Sequence, residues 1–291
     1  MAECTEIYHH LFIDQDYPSI LSLPKLTSVL GITVGDISDE VPSEGLLTGL
    51  SFPSLVNASD ISVTNLVNIT LIDVPKLTYN DKQLLLIGLL SLESYNGFES
   101  VRKTECVKID TTGLKKINYG NLENASVMSI WRNPSLSSVE LPAANIGHLG
   151  VYCYRHEGNG SSGVHDPLPR FSGPSNAKYI LVSSCGTPLG DPRTAFGIKT
   201  MISETADNGG LNFGFKDNTF SSIGFPNLTR IDGMFSLIYN DELSDFVFPA
   251  LRTVNGRMRF EGHSIGIINQ TTFPVLANVS DGLSFSGNIT E

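Results

Sequence analysis

Residues 225–262 read FPNLTRIDGMFSLIYNDELSDFVFPALRTVNGRMRFEG, and the stretch states one phrase twice. Phe225-Pro226-Asn227-Leu228 returns as Phe248-Pro249-Ala250-Leu251. Five residues after each Pro stands a β-branched residue, Ile231 or Val254, and two further on a glycine, Gly233 or Gly256. A period of this length marks a repeat architecture, in which each unit buries its apolar face against the next.

The phrase apolar-Pro-x-Leu recurs outward from this stretch. It stands at Leu23-Pro24-Lys25-Leu26, Phe52-Pro53-Ser54-Leu55, Val74-Pro75-Lys76-Leu77 and Phe273-Pro274-Val275-Leu276, in part at Leu141-Pro142, and in degenerate form at Phe98-Glu99 and Tyr119-Gly120. The marks fall at 24, 53, 75, 99, 120, 142, 226, 249 and 274, so seven of eight intervals lie between 21 and 29 residues. Nine residues before the mark stand Thr111, Asn133, Asp217 and Asn240, whose short polar side chains suit a bend. Strands are expected at 61–64, 84–87, 107–109, 127–131, 151–154, 211–215, 234–238 and 258–260, where β-branched and aromatic residues concentrate and helical periodicity is scarce. The fold class is therefore all-β, a parallel β-solenoid with coils of about 21–25 residues. A β-sandwich would repeat its turns without repeating Pro-x-Leu and Val-x-Gly at fixed offsets. A helix-containing leucine-rich repeat would honour its own core pattern more fully than this sequence does.

The whole chain, 1–291, reads as one solenoid domain. The 84-residue interval breaks its period, and the stretch between Arg155 and Asn176 is rich in Gly, Pro and Ser. Residues 155–208 are expected to project from the solenoid as an insertion, with strand-like runs at 178–183 and 197–201.

Composition narrows the function. The chain is 41% hydrophobic and 17% charged, too apolar for a disordered protein, and carries a net charge of −11 with a pI near 5.0. No cluster of Lys and Arg is present to grip phosphates, so nucleic acid is not an expected partner. The longest apolar run, 84–90, is too short for a transmembrane segment. Eight sequons, at Asn57, Asn68, Asn124, Asn159, Asn227, Asn269, Asn278 and Asn288, are roughly twice what composition alone gives, and the four cysteines are even in number. Both point to a secreted or cell-surface protein.

The cysteine pairing follows from coil geometry. Cys106 and Cys153 lie two coils apart, and Cys4 lies at least three coils from Cys106, beyond the Cα separation of about 7 Å that a disulfide tolerates. The expected bridge is Cys153 to Cys185, with Cys4 and Cys106 unpaired.

Candidate chemistry is thin. Gly158-Asn159-Gly160-Ser161-Ser162-Gly163 spells a dinucleotide fingerprint but follows no βαβ unit and overlaps a sequon, so no cofactor is expected. Cys153, His156, His165 and Cys185 have ligand chemistry at spacings that match no common zinc finger. His9-His10 is an exposed pair. His165-Asp166 has no nucleophile motif beside it. Asp39-Glu40 and Asp241-Glu242 are adjacent in sequence and alternate in direction, which does not make an acid and base pair.

Strand alternation instead suggests a binding face. Counting back from the bends sends Val107, Ile109, Ser129, Trp131, Phe213, Phe215, Ser236 and Ile238 inward, and sends Lys108, Asp110, Ile130, Arg132, Lys216, Leu237 and Tyr239 outward, with Gly214 among them. A column of charged, aromatic and aliphatic side chains would suit an extended polymer or a protein surface.

The run at 225–262, with its weaker echoes over 43–142, resembles the receptor L-domain pattern in the form found in fungal GPI-anchored cell-wall organisation proteins and their sporulation-specific relatives. The resemblance implies a right-handed β-helix-like fold, a secreted and glycosylated ectodomain, and a non-enzymatic role in cell-wall organisation. The expected partner is a wall polysaccharide or another surface protein, contacted through the sheet face or the insertion. No Ser/Thr-rich stalk or apolar anchor signal is present, so the sequence reads as an ectodomain at the cell wall or outer membrane face without its anchor. The alternative is a carbohydrate-active β-helix enzyme, a polysaccharide lyase or hydrolase.

Overall fold

The computed structural model describes residues 4–35, 44–141, 144–155, 164–174, 176–186, 200–201, 211–262 and 272–286. Among these the one helical segment is the 3-10 turn Phe98–Ser100, and no helix is long and apolar enough to cross a membrane. The contacts gather into two compact units, residues 1–136 and 137–291, where the sequence predicts one domain. Each unit is a parallel β-solenoid.

The Pro-x-Leu phrase is a tight turn. Leu55 N–H donates to the Phe52 carbonyl at 3.0 Å, Leu77 to Val74 at 3.0 Å, and Leu251 to Phe248 at 3.2 Å. Proline, with φ preset, suits the second position of such a turn, while the apolar residue and Leu at its ends are both buried in the core.

In the N-terminal unit the strands Glu6–Ile13, Ser28–Val34, Asn57–Thr64, Gln83–Ile87, Lys103–Asp110 and Asn124–Trp131 pair in parallel, each with the next. A second sheet joins Ser19–Ser22, Leu47–Ser51 and Leu71–Asp73. Burial along the long strands is not strictly alternating. Ala58 and Ile61 are buried with two residues between them, as are Thr104 and Val107, and Ala125 and Met128. In these three strands two successive residues thus face outward in the first half, which a strictly alternating pattern does not show.

Most of the main strands are followed by a residue in the left-handed region: Gly35 (φ 77°), Asn65 (57°), Gly88 (67°), Thr111 (54°) and Arg132 (47°) here, and Ser184 (58°), Asp217 (54°), Tyr239 (53°) and Gly262 (137°) in the C-terminal unit. Side chains seldom tolerate that conformation, and a β-branched one such as Thr111 least of all. The ladder enforces it. Asn65 N–H donates to the Ile87 carbonyl at 2.7 Å, Thr111 N–H to Trp131 at 3.0 Å, and Tyr239 N–H to Glu261 at 2.7 Å, each bond reaching the following coil.

A buried polar residue follows at this corner. Asn133 accepts the Thr112 N–H on Oδ1 at 3.0 Å and donates from Nδ2 to the carbonyls of Ile109 (3.1 Å) and Trp131 (2.7 Å). Asn240 repeats the arrangement with the Asn218 N–H and the carbonyls of Phe215 and Ile238. Backbone groups left over at a sharp corner are thereby satisfied without water.

In the C-terminal unit Asn145–Tyr152 pairs with Asn176–Ser183, which pairs with both Thr200–Met201 and Leu211–Lys216. The stack continues through Arg230–Asp232 with Met234–Ile238, Thr253–Asn255 with Met258–Glu261, and Asn278–Val279 with Leu283–Ser286. The later coils break each strand in two at Gly233 (φ 114°), Gly256 (158°) or Gly282 (93°). A Cβ on Gly256 would fall 2.1 Å from the Gly233 carbonyl oxygen, so glycine is required there.

The segment 155–208 does not project throughout. Its run Asn176–Ser183 is a full member of the parallel sheet, and Thr200–Met201 is another. The registers Asn145↔Asn176 and Ile180↔Phe213 give coils of 31 and 33 residues, so this interval holds oversized coils that lack the Pro-x-Leu phrase. Part of the excess is the antiparallel pair Tyr154–Arg155 and Val164–His165. Residues 156–163, with the GxGxxG run and His156, lie outside the described residues, as do 187–199 and 202–210.

Candidate functional site

The outward sheet face of the N-terminal unit carries Lys108, Asp110 and Arg132 together. Arg132 donates to both carboxylate oxygens of Asp110, at 3.0 and 2.8 Å, and the Thr111 hydroxyl adds a bond at 2.8 Å. Lys108 Nζ lies 3.8 Å from Asp110 and 5.6 Å from the centre of the Trp131 ring. Asp110 is buried while Arg132 is exposed, so the guanidinium covers the carboxylate. In the C-terminal unit Lys216 and Tyr239 are exposed. Lys216 pairs with Asp217 at 3.5 Å, and the Tyr239 hydroxyl donates to Glu261 at 3.0 Å. Tyr239, then Arg259, holds the Glu261 carboxyl below its usual range.

Two members of the predicted face are in the core instead. Ile130 is 3% exposed and Leu237 1%, while Ser129 and Trp131, assigned inward, are half-buried on the outer side. The left-handed residue stands nine positions before the turn mark for Thr111 and Asp217 but ten for Arg132 and Tyr239. Aligning Asn133 and Asn240 with Thr111 and Asp217 slips those two strands by one residue, and a one-residue slip exchanges the faces. Ser236 and Ile238 are buried although they alternate with Leu237.

Two grooves open on the outward face of the N-terminal unit. One, about 400 Å³, is lined by Asp60, Gln83, Glu105, Cys106 and Val127 among others. Asp60 takes the Gln83 amide on Oδ2 at 3.0 Å, while its Oδ1 is buried and unbonded. Cys106 is a free thiol, pushed up in pKa first by burial and then by the Glu105 charge. The other groove, about 380 Å³, is lined by Tyr8, Ser28, Leu30, Asn57, Ser59 and Tyr79 together with apolar backbone neighbours. Tyr8 and Tyr79 donate to Glu6 (2.5 Å) and Asp81 (2.8 Å). Neither groove was foreseen: the bulged first half of the strands sets them, and the one available signal was the pairing of Tyr with an acid two residues away.

Cys153 and Cys185 are joined, with Cα atoms 4.7 Å apart, and Cys4 is free. The bridge links two adjacent coils at the corner occupied elsewhere by asparagine, and Cys185 N–H still donates to Asn218 Oδ1 at 2.9 Å. Neither sulfur is thus available as a thiolate ligand. Among the described residues no group of three His, Cys, Asp or Glu side chains is placed to hold a metal. Asp39-Glu40 lies outside the described residues. Asn57, Asn68, Asn124, Asn227 and Asn278 are exposed, and Asn159, Asn269 and Asn288 are outside the described residues.

Comparison with known proteins finds fungal proteins to which the chain is similar. It is 27% identical over 233 residues to Protein ecm33 of Aspergillus fumigatus, covering 79% of this chain and 48% of that one. It is 27% identical over 246 residues to Cell wall protein ecm33 of Schizosaccharomyces pombe, covering 84% and 52%. The chain spans about half the length of the curated relatives it matches. No family model and no solved structure matches it. The two relatives are homologues of this chain, and the resemblance carried by residues 225–262 extends over most of it.

Proposed function

We propose that the protein is a non-enzymatic, glycosylated component of the fungal cell wall that contacts a wall polysaccharide through the outward sheet face of its N-terminal unit. The observation that supports this reading is the character of that face. Trp131 beside Lys108 and Arg132 over Asp110 gather where two adjacent parallel strands end, and the rings of Tyr8 and Tyr79 are exposed on the same unit, which offers rings and neutralised charge to an extended polymer. The wall location of the fission-yeast relative, stated in its name, agrees with it.

The test is a glycan array and co-sedimentation with insoluble wall glucans and chitin, run beside a reducing-sugar assay on the same polymers. Binding without sugar release is expected. Release of reducing ends would establish the carbohydrate-active enzyme, lyase or hydrolase, instead. Arg132→Ala is unsuited to mapping the face, because it strips a buried carboxylate of its two-point partner and destabilises the fold. Lys108→Ser and Trp131→Ser leave Asp110 paired with Arg132, and should weaken binding while preserving the thermal midpoint within a few degrees.

A further inference from the structure

The groove between Tyr8 and Tyr79 has an attachment point in its wall. Asn57 lines it, is exposed, and opens the sequon Asn57-Ala58-Ser59, whose Ser59 lines the same groove. Asn57 and Tyr79 bridge in parallel register one coil apart, so their backbones lie about 4.8 Å from one another. Both rings are held by their phenols, Tyr8 by Glu6 and Tyr79 by Asp81, yet they are 79% and 50% exposed.

We propose that an N-linked glycan on Asn57 folds back into this groove, its first sugars seated against Tyr79 and passing over Leu30 toward Tyr8. The groove is then a seat for the chain's own glycan rather than an open ligand site. The proposal rests on the glycoprotein reading above. In attachment, the Asn57 amide nitrogen bonds to C1 of the first sugar as the C1–O bond to a lipid pyrophosphate donor breaks. The pyrophosphate leaves with the electron pair, and the amide loses one proton.

Size, chemistry and linkage agree. A cavity of about 380 Å³ falls within the range of small-ligand sites, about 300–1,000 Å³. A pyranose has an apolar C–H face and a polar rim. The tyrosine faces and Leu30 match the first, and Ser28 and Ser59 match the second. A covalent link turns even weak stacking into an intramolecular contact at an effective concentration in the millimolar range.

The test uses the protein secreted from a eukaryotic host and follows, site by site, release of glycans from the folded chain by an amidase that cleaves the Asn–sugar bond and leaves Asp. Asn124, another strand-opening exposed asparagine, is the internal reference. Asn57 should be released about tenfold more slowly, as a seat worth about 1.4 kcal/mol leaves the glycan free a tenth of the time. Tyr8→Ser with Tyr79→Ser should abolish the difference, and Tyr8→Phe with Tyr79→Phe should keep it. Both rings are exposed, so the core survives these changes. Equal release from the two sites, or a difference indifferent to the rings, overturns the seat. Asn57 bare while other sequons are loaded overturns it too. If no sequon is loaded, the glycoprotein reading itself fails.

Discussion

The two units solve one packing problem with different side chains. Of the fifteen phenylalanines, three lie in residues 1–136 and twelve in 137–291. The N-terminal core is built of Leu, Ile and Val with few rings, at Phe52, Phe98 and Tyr119, of which Phe98 meets Tyr95. In the C-terminal unit the turn position repeats as Phe225, Phe248 and Phe273, with centroids 5.0 and 5.2 Å apart and ring planes within 19° and 21°. The spacing is that of the strands, about 4.8 Å. A parallel solenoid thus places identical residues at stacking distance without further design. The lesson is that ring ladders bind each residue to both neighbours, whereas aliphatic side chains fill space with no preferred orientation.

The difference can be broken most sharply at Phe248, which touches the rings of Phe225, Phe235, Phe246 and Phe273. Phe248→Ala should cost about 3–5 kcal/mol in denaturant unfolding of the C-terminal unit. Phe52→Ala, which removes the same buried ring from the same turn position in the N-terminal unit, should cost about 1 kcal/mol less, because the stacked neighbours are aliphatic there. Equal losses would mean that the ladder adds nothing beyond volume.

Next in size are the corner asparagines, which the two units share. Asn133→Ala and Asn240→Ala each leave a buried backbone N–H without its acceptor and take one bond from each of two carbonyls, of which Trp131 and Ile238 keep the ladder bonds from Thr111 and Asp217, and about 2–3 kcal/mol is expected from either. They should differ in coupling. Asn218 also donates its side-chain amide to Asn240 at 2.8 Å, so the double variant Asn218→Ala/Asn240→Ala should cost clearly less than the sum of its parts. Additivity there would show that the ladder acts coil by coil.

The period was legible because the turn phrase needs both Pro at one position and apolar residues at two others, a combination that composition rarely supplies. The corner was less legible. Asparagine both tolerates the left-handed conformation and plugs a buried corner, and at 133 and 240 it does the second while Arg132 and Tyr239 do the first. Nothing in an arginine or tyrosine codon signals positive φ; at Tyr239 the ladder bond to the next coil imposes it. The coil at 170–183 carries no Pro-x-Leu, so its strand-like run at 178–183 reads as part of an insertion, and only its pairing with Asn145–Tyr152 makes it a coil of the solenoid. The tyrosine groove was missed because two outward residues in succession look like the end of a strand.

A smaller effect should run the other way. Tyr119 holds in the N-terminal unit the turn position that Phe225 and Phe248 hold in the other. It is fully buried, its hydroxyl has no partner, and burial pushes the phenol well above its ordinary pKa. Tyr119→Phe, which copies the solution used by the C-terminal unit, should raise stability by about 1 kcal/mol. A loss of stability would mean that the hydroxyl is paired with a buried water.

The smallest contrast lies in two surface pairs, Tyr79 with Asp81 and Tyr239 with Glu261. Both carboxyls are held below their usual values first by the tyrosine hydroxyl. Asp81 is next helped by the Ser59 hydroxyl and Glu261 by Arg259. Because the folded pKa is depressed, the contribution to stability is present above the unfolded value and is lost as pH falls through the folded one. Exposure and screening keep that contribution too small to move a thermal midpoint. Carboxyl NMR titration resolves it. Tyr79→Phe and Tyr239→Phe should each move the partner carboxyl up toward its ordinary range. The residual depression should then persist at 1 M salt for Asp81, where a hydroxyl supplies most of it, and shrink for Glu261, where a guanidinium charge does, since the screening length falls to about 3 Å. Equal salt sensitivity at the two sites would mean that Lys82, rather than Ser59, sets what remains at Asp81.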